Sequence, residues 1–589
     1  MPPLKYRLLL LFVCLFTYNV SQSQGFLKTS GKQIVNEKGE NVLLRGIGLG
    51  GWMLQEGYML GLSNQWQQQN QIRKHIAMLA GEDKAQAFYD SWLANHTTKA
   101  DVDSLKAWGF NSIRLPMHYN LYTLPVEKEP VAGGQTWLQK GFAMTDSLLA
   151  WCKVNKMYLI LDMHAAPGGQ GNDLNIADRD PLLPSLWQSE ANRQKMIALW
   201  KKLAERYVNE PWIGAYDIIN EPNWGFADTT NDRNGLKEKG NAPLRQLMMD
   251  ITKAIREVDK KHIIIIEGNG WGNNYNGILP AWDNNMVMSF HKYWNYNTTQ
   301  SVSHILKYRD ENNIPVWLGE TGENSNTWFT EAIRLFETNN IGWSWWPLKK
   351  LGNNNPLQIK NNKNYEQLLA YWNGKTTTPP NADDAYDGLM ELANATNVKN
   401  NIIHRDVIDA MMRQPFSNGT LPFKNKAISD GSVINAVDYD LGANGFAYYD
   451  MDTANYRLNA PKMNVGNRGH TYRNDGVDIR KEEVEAEAYY VSDIEEGEWL
   501  QYSFTDVQKG TYVIELTIAS TNDSGRISIG NASNRRLFEN AVVPNSGGLH
   551  NWKSFSAGKI TVAGKQVLRI YFVKGGFNLK SIKFIAAKK

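Results

Sequence analysis

Six short apolar runs in this chain end on residues that could do chemistry. Arg114 lies within Ser112–Met117, and His164 ends Met157–His164. Asn220 and Glu221 directly follow Ile218-Ile219, and His291 and Tyr293 end Met286–Tyr293. Glu320 follows Trp317-Leu318-Gly319, and Trp346 falls in Gly342–Pro347. An acid placed immediately after a buried apolar run is not a surface acid. Two such acids facing one pocket suit the cleavage of an acetal: one donates a proton to the leaving oxygen, and the other attacks the anomeric carbon as a carboxylate. Close approach of two like charges keeps one proton on the pair, and a nearby guanidinium such as Arg114 favours ionisation of its neighbour. An internal salt bridge, or a metal site using His164, His291 and Glu320, is the competing reading. The second lacks clustered histidine spacing on any one element.

The elements that must position these groups alternate. Short apolar runs at Leu43–Gly48, Ser112–Met117, Met157–His164, Ile213–Glu221, His262–Gly268, Met286–Tyr293, Pro315–Glu320 and Gly342–Pro347 read as parallel strands buried on both faces. Between them apolar residues recur at helical spacing, as at Leu244, Leu247, Met248, Ile251, Ile255 and Val258. Gly109 marks a helix stop before the strand at Ile113. Eight strand-then-helix units predict a (β/α)8 barrel, whose chemistry sits at the carboxyl ends of the strands. A doubly wound open sheet is the alternative, but no Gly-rich phosphate loop follows an early strand. Past Ile428 short strands alternate with Gly/Asn/Asp turns, which predicts an all-β jelly-roll sandwich. The expected division is a signal peptide over 1–23, the barrel over 25–380, a helical extension and linker over 381–426, and the sandwich over 427–589.

Composition narrows the class. A length of 589 residues, 42% hydrophobic and 21% charged, fits a soluble multidomain protein. A net charge of +3 gives no electrostatic reason to expect nucleic acid or a membrane surface as partner. Twenty-one Trp and 26 Tyr suit stacking on sugar faces. Lys5 and Arg7 before the apolar run Leu8–Phe16 predict export, and hence a secreted extracellular or periplasmic protein, of a bacterium on the simpler reading. Cys152 is then the one thiol of the mature chain and reads as a buried structural residue.

The stretches Ser112-Ile113-Arg114-Leu115-Pro116, Leu161-Asp162-Met163-His164, Asn220-Glu221-Pro222, His291-Lys292-Tyr293, Leu318-Gly319-Glu320 and Trp343-Ser344-Trp345-Trp346 resemble family 5 glycoside hydrolases. Arg45–Trp52, Glu56-Gly57-Tyr58 and Ala165–Gln170 are similar to the β-glucanase branch related to 1,3-glucanases. The resemblance implies Glu221 as acid/base and Glu320 as nucleophile of a retaining endo- or exo-β-glucanase acting by double displacement. It implies further that Asn220 bonds the sugar 2-hydroxyl and that Arg114 and Tyr293 hold Glu320. His164 and His291 would line the cleavage subsite, and Trp346 would form the floor of the −1 subsite. A β-mannanase, another β-glycan hydrolase, or a barrel retained as a non-catalytic glycan binder stay open.

The stretches Tyr472–Ile479, Gly497–Tyr502, Gly547–Trp552 and Gly576–Leu579 resemble family 6 carbohydrate-binding modules, implying sugar contacts from Trp552 and Asn578. Asp493 and Leu549 stand where that family has aromatic rings. No cofactor and no catalytic metal are expected. A structural calcium in the module stays open, with Asn435 and Val437 standing where acids would serve as ligands. The expected partner is a β-glucan poly- or oligosaccharide, and the expected state is a monomer.

Overall fold

The computed structural model describes residues 25–63, 66–451, 468–483, 488–533 and 536–588. The expected signal peptide lies outside the described residues. Eight parallel strands close into a barrel: β1 (Arg45–Gly48), β2 (Ser112–His118), β3 (Tyr158–Ala165), β4 (Ile213–Asp217), β5 (Ile263–Glu267), β6 (Met286–Lys292), β7 (Val316–Gly322) and β8 (Gly342–Trp346). They follow chain order, and β8 pairs β1 with Trp343 opposite Arg45. From β2 to β8 every strand residue is buried, as expected for strands covered on both faces.

Alternation along each strand sorts the interior by height. Tyr158, Ile160, Ala215, Ile263, Ile265, Val287 and Trp317 pack into one apolar cluster at the amino ends of the strands. Continuing in steps of two gives Asp162 and His164 on β3, Asp217 on β4, Glu267 on β5 and His291 on β6. The barrel is therefore apolar at the bottom and ionic at the top. A hairpin of Lys28–Ser30 and Gln33–Val35 brings Leu27 and Ile34 into the bottom cluster. The sequence reading did not anticipate this plug.

The helix Lys99–Trp108 opens on a Thr98–Asp101 capping box and ends at Gly109, whose φ of 108° suits a residue without Cβ. Asp101 also accepts from Lys349 at 2.5 Å, a buried pair that ties this helix to the chain leaving β8. One unit departs from the expected alternation. Between β5 and β6 the chain forms only the short helical segment Asn269–Gly272. Its asparagines instead bond loop carbonyls, as Asn274 does with Gly235 and Glu238 at 2.8 Å. The helices Lys363–Trp372, Ala382–Ala395 and Arg405–Met412 form the extension. Cys152 is free and fully buried in the helix Gln139–Asn155.

The C-terminal region is all-β. One sheet contains Ile479–Lys481, Tyr489–Val491, Phe577–Ala586, Gly510–Ser520 and Gly548–Val562, with Val433–Asn435 added against Phe577–Ala586. The second contains Tyr448–Tyr449, Trp499–Phe504, Gln566–Lys574, Arg526–Asn531 and Arg536–Val542. A core including Leu500, Ile514, Leu516, Ile518, Ile570 and Phe572 lies between them.

Candidate active site

A cavity of about 220 Å³ opens at the carboxyl ends of the strands. Its wall is Glu56, Tyr58, His164, Ile176, Glu221, Tyr293, Trp294, Glu320, Glu323 and Trp346. A carboxylate oxygen of Glu221 lies within 4.8 Å of one from Glu320. The floor is Trp346, stacked on His164 with ring centres 5.0 Å apart and planes 8° from parallel. Its Nε1 donates to Tyr58 at 3.1 Å. The glycines of Gly48-Leu49-Gly50 have a steric reason here. A Cβ at Gly48 or Gly50 would come within 2.5 Å or 2.7 Å of the Trp346 indole.

Arg114 stands under this cavity, fully buried. Its Nη1 donates to Glu320 Oε2 at 2.8 Å, its Nη2 to Asn220 Oδ1 at 2.7 Å and its Nε to Asp217 Oδ2 at 3.0 Å. Asp162 and Glu267 each lie 3.3 Å from the same guanidinium. The Tyr293 hydroxyl donates to the other oxygen of Glu320. Both oxygens of Glu320 are thus held by donors, which fixes the orientation of the carboxyl group.

Glu221 has a different environment. Its backbone is held at φ 41°, a strained position for a side-chain-bearing residue, and its N–H donates to Glu267 Oε2 at 2.7 Å. His291 Nδ1 meets Glu221 Oε1 at 2.6 Å. His291 Nε2 lies 3.1 Å from Glu267 at an angle that misses a hydrogen bond. Burial pushes the Glu221 carboxyl up to about 7 against the pull of His291, with Glu320 and Glu267 adding to the rise. His291 is held well above the ordinary histidine range, because Glu267, Glu221 and Glu320 outweigh its burial. His164 is driven down to about 3 by burial and stays neutral, its Nδ1 2.8 Å from Asp162.

The buried acids around the site divide in direction. Burial raises Asp162 and Asp217 well above the carboxylate range, and it also raises Glu56, with the neighbouring Glu320 adding to it. Glu267 is lowered, since His291 and Arg114 overcome its burial. The arrangement can deliver a proton from one side and a carboxylate from the other. Glu221, His291 and Glu320 could also surround a cation. However, Arg114 and Tyr293 already take both oxygens of Glu320, and His291 takes one of Glu221.

The expected site residues separate into layers. Glu221, Glu320, His164, Tyr293 and Trp346 face the cavity. Arg114, Asn220 and His291 lie behind its wall, so His291 braces Glu221 where it was expected to line the subsite. Asp162, Asp217 and Glu267 were given no role from the sequence. The period-two alternation that puts them in the same inward phase as His164 and His291 was the available signal.

The module has its own cavity, of about 870 Å³, lined by residues that include Arg480, Tyr490, Asp493, Leu549, His550 and Asn578. Asn578 Nδ2 donates to the Leu549 carbonyl at 2.8 Å. Trp552 is not in this lining. Its ring meets Tyr490 edge-on at 5.2 Å and Lys580 lies 5.3 Å from its centre.

Residues 69–352 match the family described as Cellulase (glycosyl hydrolase family 5). A "Beta-xylosidase" from Phanerodontia chrysosporium is 26% identical over 58% of this chain and 75% of its own. "Endoglucanase C" from Acetivibrio thermocellus is 26% identical over 37% of this chain and 57% of its own. The solved beta-glucanase of Saccharophagus degradans aligns over 64% of this chain and 95% of its own, at 17% identity and a TM-score of 0.37. Residues 473–584 match Carbohydrate binding module (family 35), which corrects the expectation of family 6. The four stretches that suggested family 6 are short strand-and-turn segments, and such segments do not separate one sandwich family from another. The barrel is a glycosyl hydrolase family 5 domain, and a carbohydrate-binding module of family 35 follows it.

Proposed function

We propose that the chain is a retaining β-glucanase in which Glu221 is the acid/base and Glu320 the nucleophile. The observation that carries this is the approach of the two carboxylates within 4.8 Å, close to the about 5–5.5 Å of retaining enzymes and short of the about 6.5–9.5 Å of inverting ones. Glu221 gives its proton to the glycosidic oxygen. Glu320 attacks C1 from the opposite face, the C1–O bond breaks and the alcohol leaves. Glu221, now a carboxylate, takes a proton from water, which attacks C1 and releases Glu320. Arg114 and Tyr293 hold and aim Glu320. Asn220, held by Arg114, is the candidate partner of the 2-hydroxyl, and Trp346 is the candidate platform for the ring.

A β-linked glucan is the proposed substrate. One relative is named a beta-xylosidase and another a probable glucan 1,3-beta-glucosidase, which supports that linkage. Action outside the cytoplasm is part of the proposal, resting on Lys5, Arg7 and the apolar run Leu8–Phe16. The test is Glu320→Ala assayed on an activated aryl β-glycoside with and without azide. Turnover should vanish, and azide should restore it as the α-glycosyl azide. Full hydrolysis by the variant without azide would end the proposal.

A further inference from the structure

The turn Arg473-Asn474-Asp475, at the start of the carbohydrate-binding module, is seated in the barrel rather than in solvent. Asn474 is buried, and its N–H donates to Asp406 Oδ2 at 2.7 Å. Its Nδ2 donates to the Asn324 carbonyl at 2.7 Å and to Asn326 Oδ1 at 3.1 Å. Its own carbonyl accepts from Asn326 N at 2.9 Å. Asn326 Nδ2 completes the ring of contacts by donating to Asp406 Oδ2 at 2.8 Å. At the rim, Asn353 Nδ2 donates to the Arg473 carbonyl at 3.0 Å. Asn324, Asn326, Asp406 and Asn474 are each no more than 2% exposed, so these polar groups have no water to fall back on.

The barrel partner in this contact is the segment that leaves β7, with Asn324 and Asn326 two and four residues after Gly322. Glu323 is held at φ 53° and paired with Lys350, and Asn324 Nδ2 reaches the Tyr293 carbonyl at 3.4 Å. Tyr293 donates to Glu320. On the module side Arg473 fixes the turn internally, donating to Asp475 at 2.7 Å and to the Asp440 carbonyl at 3.1 Å. Tyr472 just before it takes φ 66°, strain that persists where surrounding contacts enforce it.

We propose that Asn474 and Asp406 are positioning residues for the catalytic centre, and that the module therefore serves turnover itself as well as any polymer binding. The chain of contact runs from Asn474 through Asn324 and Tyr293 to Glu320. The proposal rests on Glu320 being the nucleophile.

The test uses the full chain carrying Asn474→Ala, with a nitrophenyl β-glycoside too small to reach the module cavity. Active sites are counted by stoichiometric labelling with an activated 2-fluoro glycoside, so that turnover is expressed per competent site. Per-site kcat should fall at least about tenfold while KM changes less than about twofold, as expected when geometry rather than binding is lost. Val542→Ser, on an exposed module strand, should match the parent. If Asn474→Ala does not fold, Asn353→Ala removes only the rim contact and should still lower per-site kcat severalfold. Unchanged per-site kcat in the folded variant overturns the proposal. Activity surviving in Glu320→Ala would instead overturn the assignment beneath it, so the two failures are told apart.

Discussion

The two cavities of this molecule differ in a way that size does not predict. The module cavity has about four times the volume of the barrel cavity, yet the charged groups lining it do not converge on one buried centre. Among the described residues, Arg480 pairs there with Asp493 at 2.9 Å, both substantially exposed. Such a pair is worth little in water. The barrel cavity is small, but under it one buried guanidinium meets four carboxyl groups. Burial multiplies the effect of each charge and forces the acids into different protonation states. Chemistry follows from converging, desolvated charges, and a larger, wetter groove suits recognition.

The sharpest way to break that contrast is to remove the proton donor. Glu221→Ala should cost about 10²–10⁴-fold in kcat/KM on substrates with poor leaving groups and far less on activated aryl glycosides. Equal losses on both, measured over a leaving-group series, would contradict its role as acid. Next is the charge balance. Arg114→Met leaves buried carboxylates without their cation and should destabilise the barrel by about 3–5 kcal/mol. Denaturant unfolding checks this, and a loss under about 1 kcal/mol would show that the cluster does not need its centre.

The protonation argument is sharpened by pH. Glu221 is raised to about 7, so the acid is present below that pH and lost above it. kcat/KM should therefore fall about tenfold per unit on the alkaline side of 7. His291 pulls the Glu221 value down, so His291→Gln should move this limb to higher pH. A limb that stays put would remove His291 from the account. The smallest effect belongs to the module. Asn578→Ala deletes one side-chain hydrogen-bonding group at its cavity and should weaken retention on soluble glucan by less than about tenfold. Affinity electrophoresis would read this, and unchanged retention would place binding elsewhere.

What the sequence made legible follows the same physics. Continuous apolar runs such as Ile263–Ile266 identify strands buried on both faces, and the acids that end such runs stand out by contrast. Asp162, Asp217 and Glu267 were harder to see. Each is one polar residue inside or at the end of an otherwise unremarkable strand, and its meaning depends on inward phase and on Arg114, which lies 48, 103 and 153 residues away from Asp162, Asp217 and Glu267. His291 illustrates the limit: its strand-end position was readable, but its place behind Glu221 was set by Glu267 on the neighbouring strand β5. In the module, Gly548–Val562 was legible only from Gly558 onward. It pairs on one side alone, and most of its residues are exposed, so no apolar alternation marks it. The hairpin plug at 28–35 is too short to carry a pattern.

The central claim is that attack by a protein carboxylate precedes attack by water. Proton NMR of the reducing end in the first minutes of hydrolysis tests it directly, before mutarotation scrambles the signal. The β-anomer should appear first and then relax towards the equilibrium mixture. An initial α-anomer would mean a single displacement and would contradict the roles given to Glu221 and Glu320.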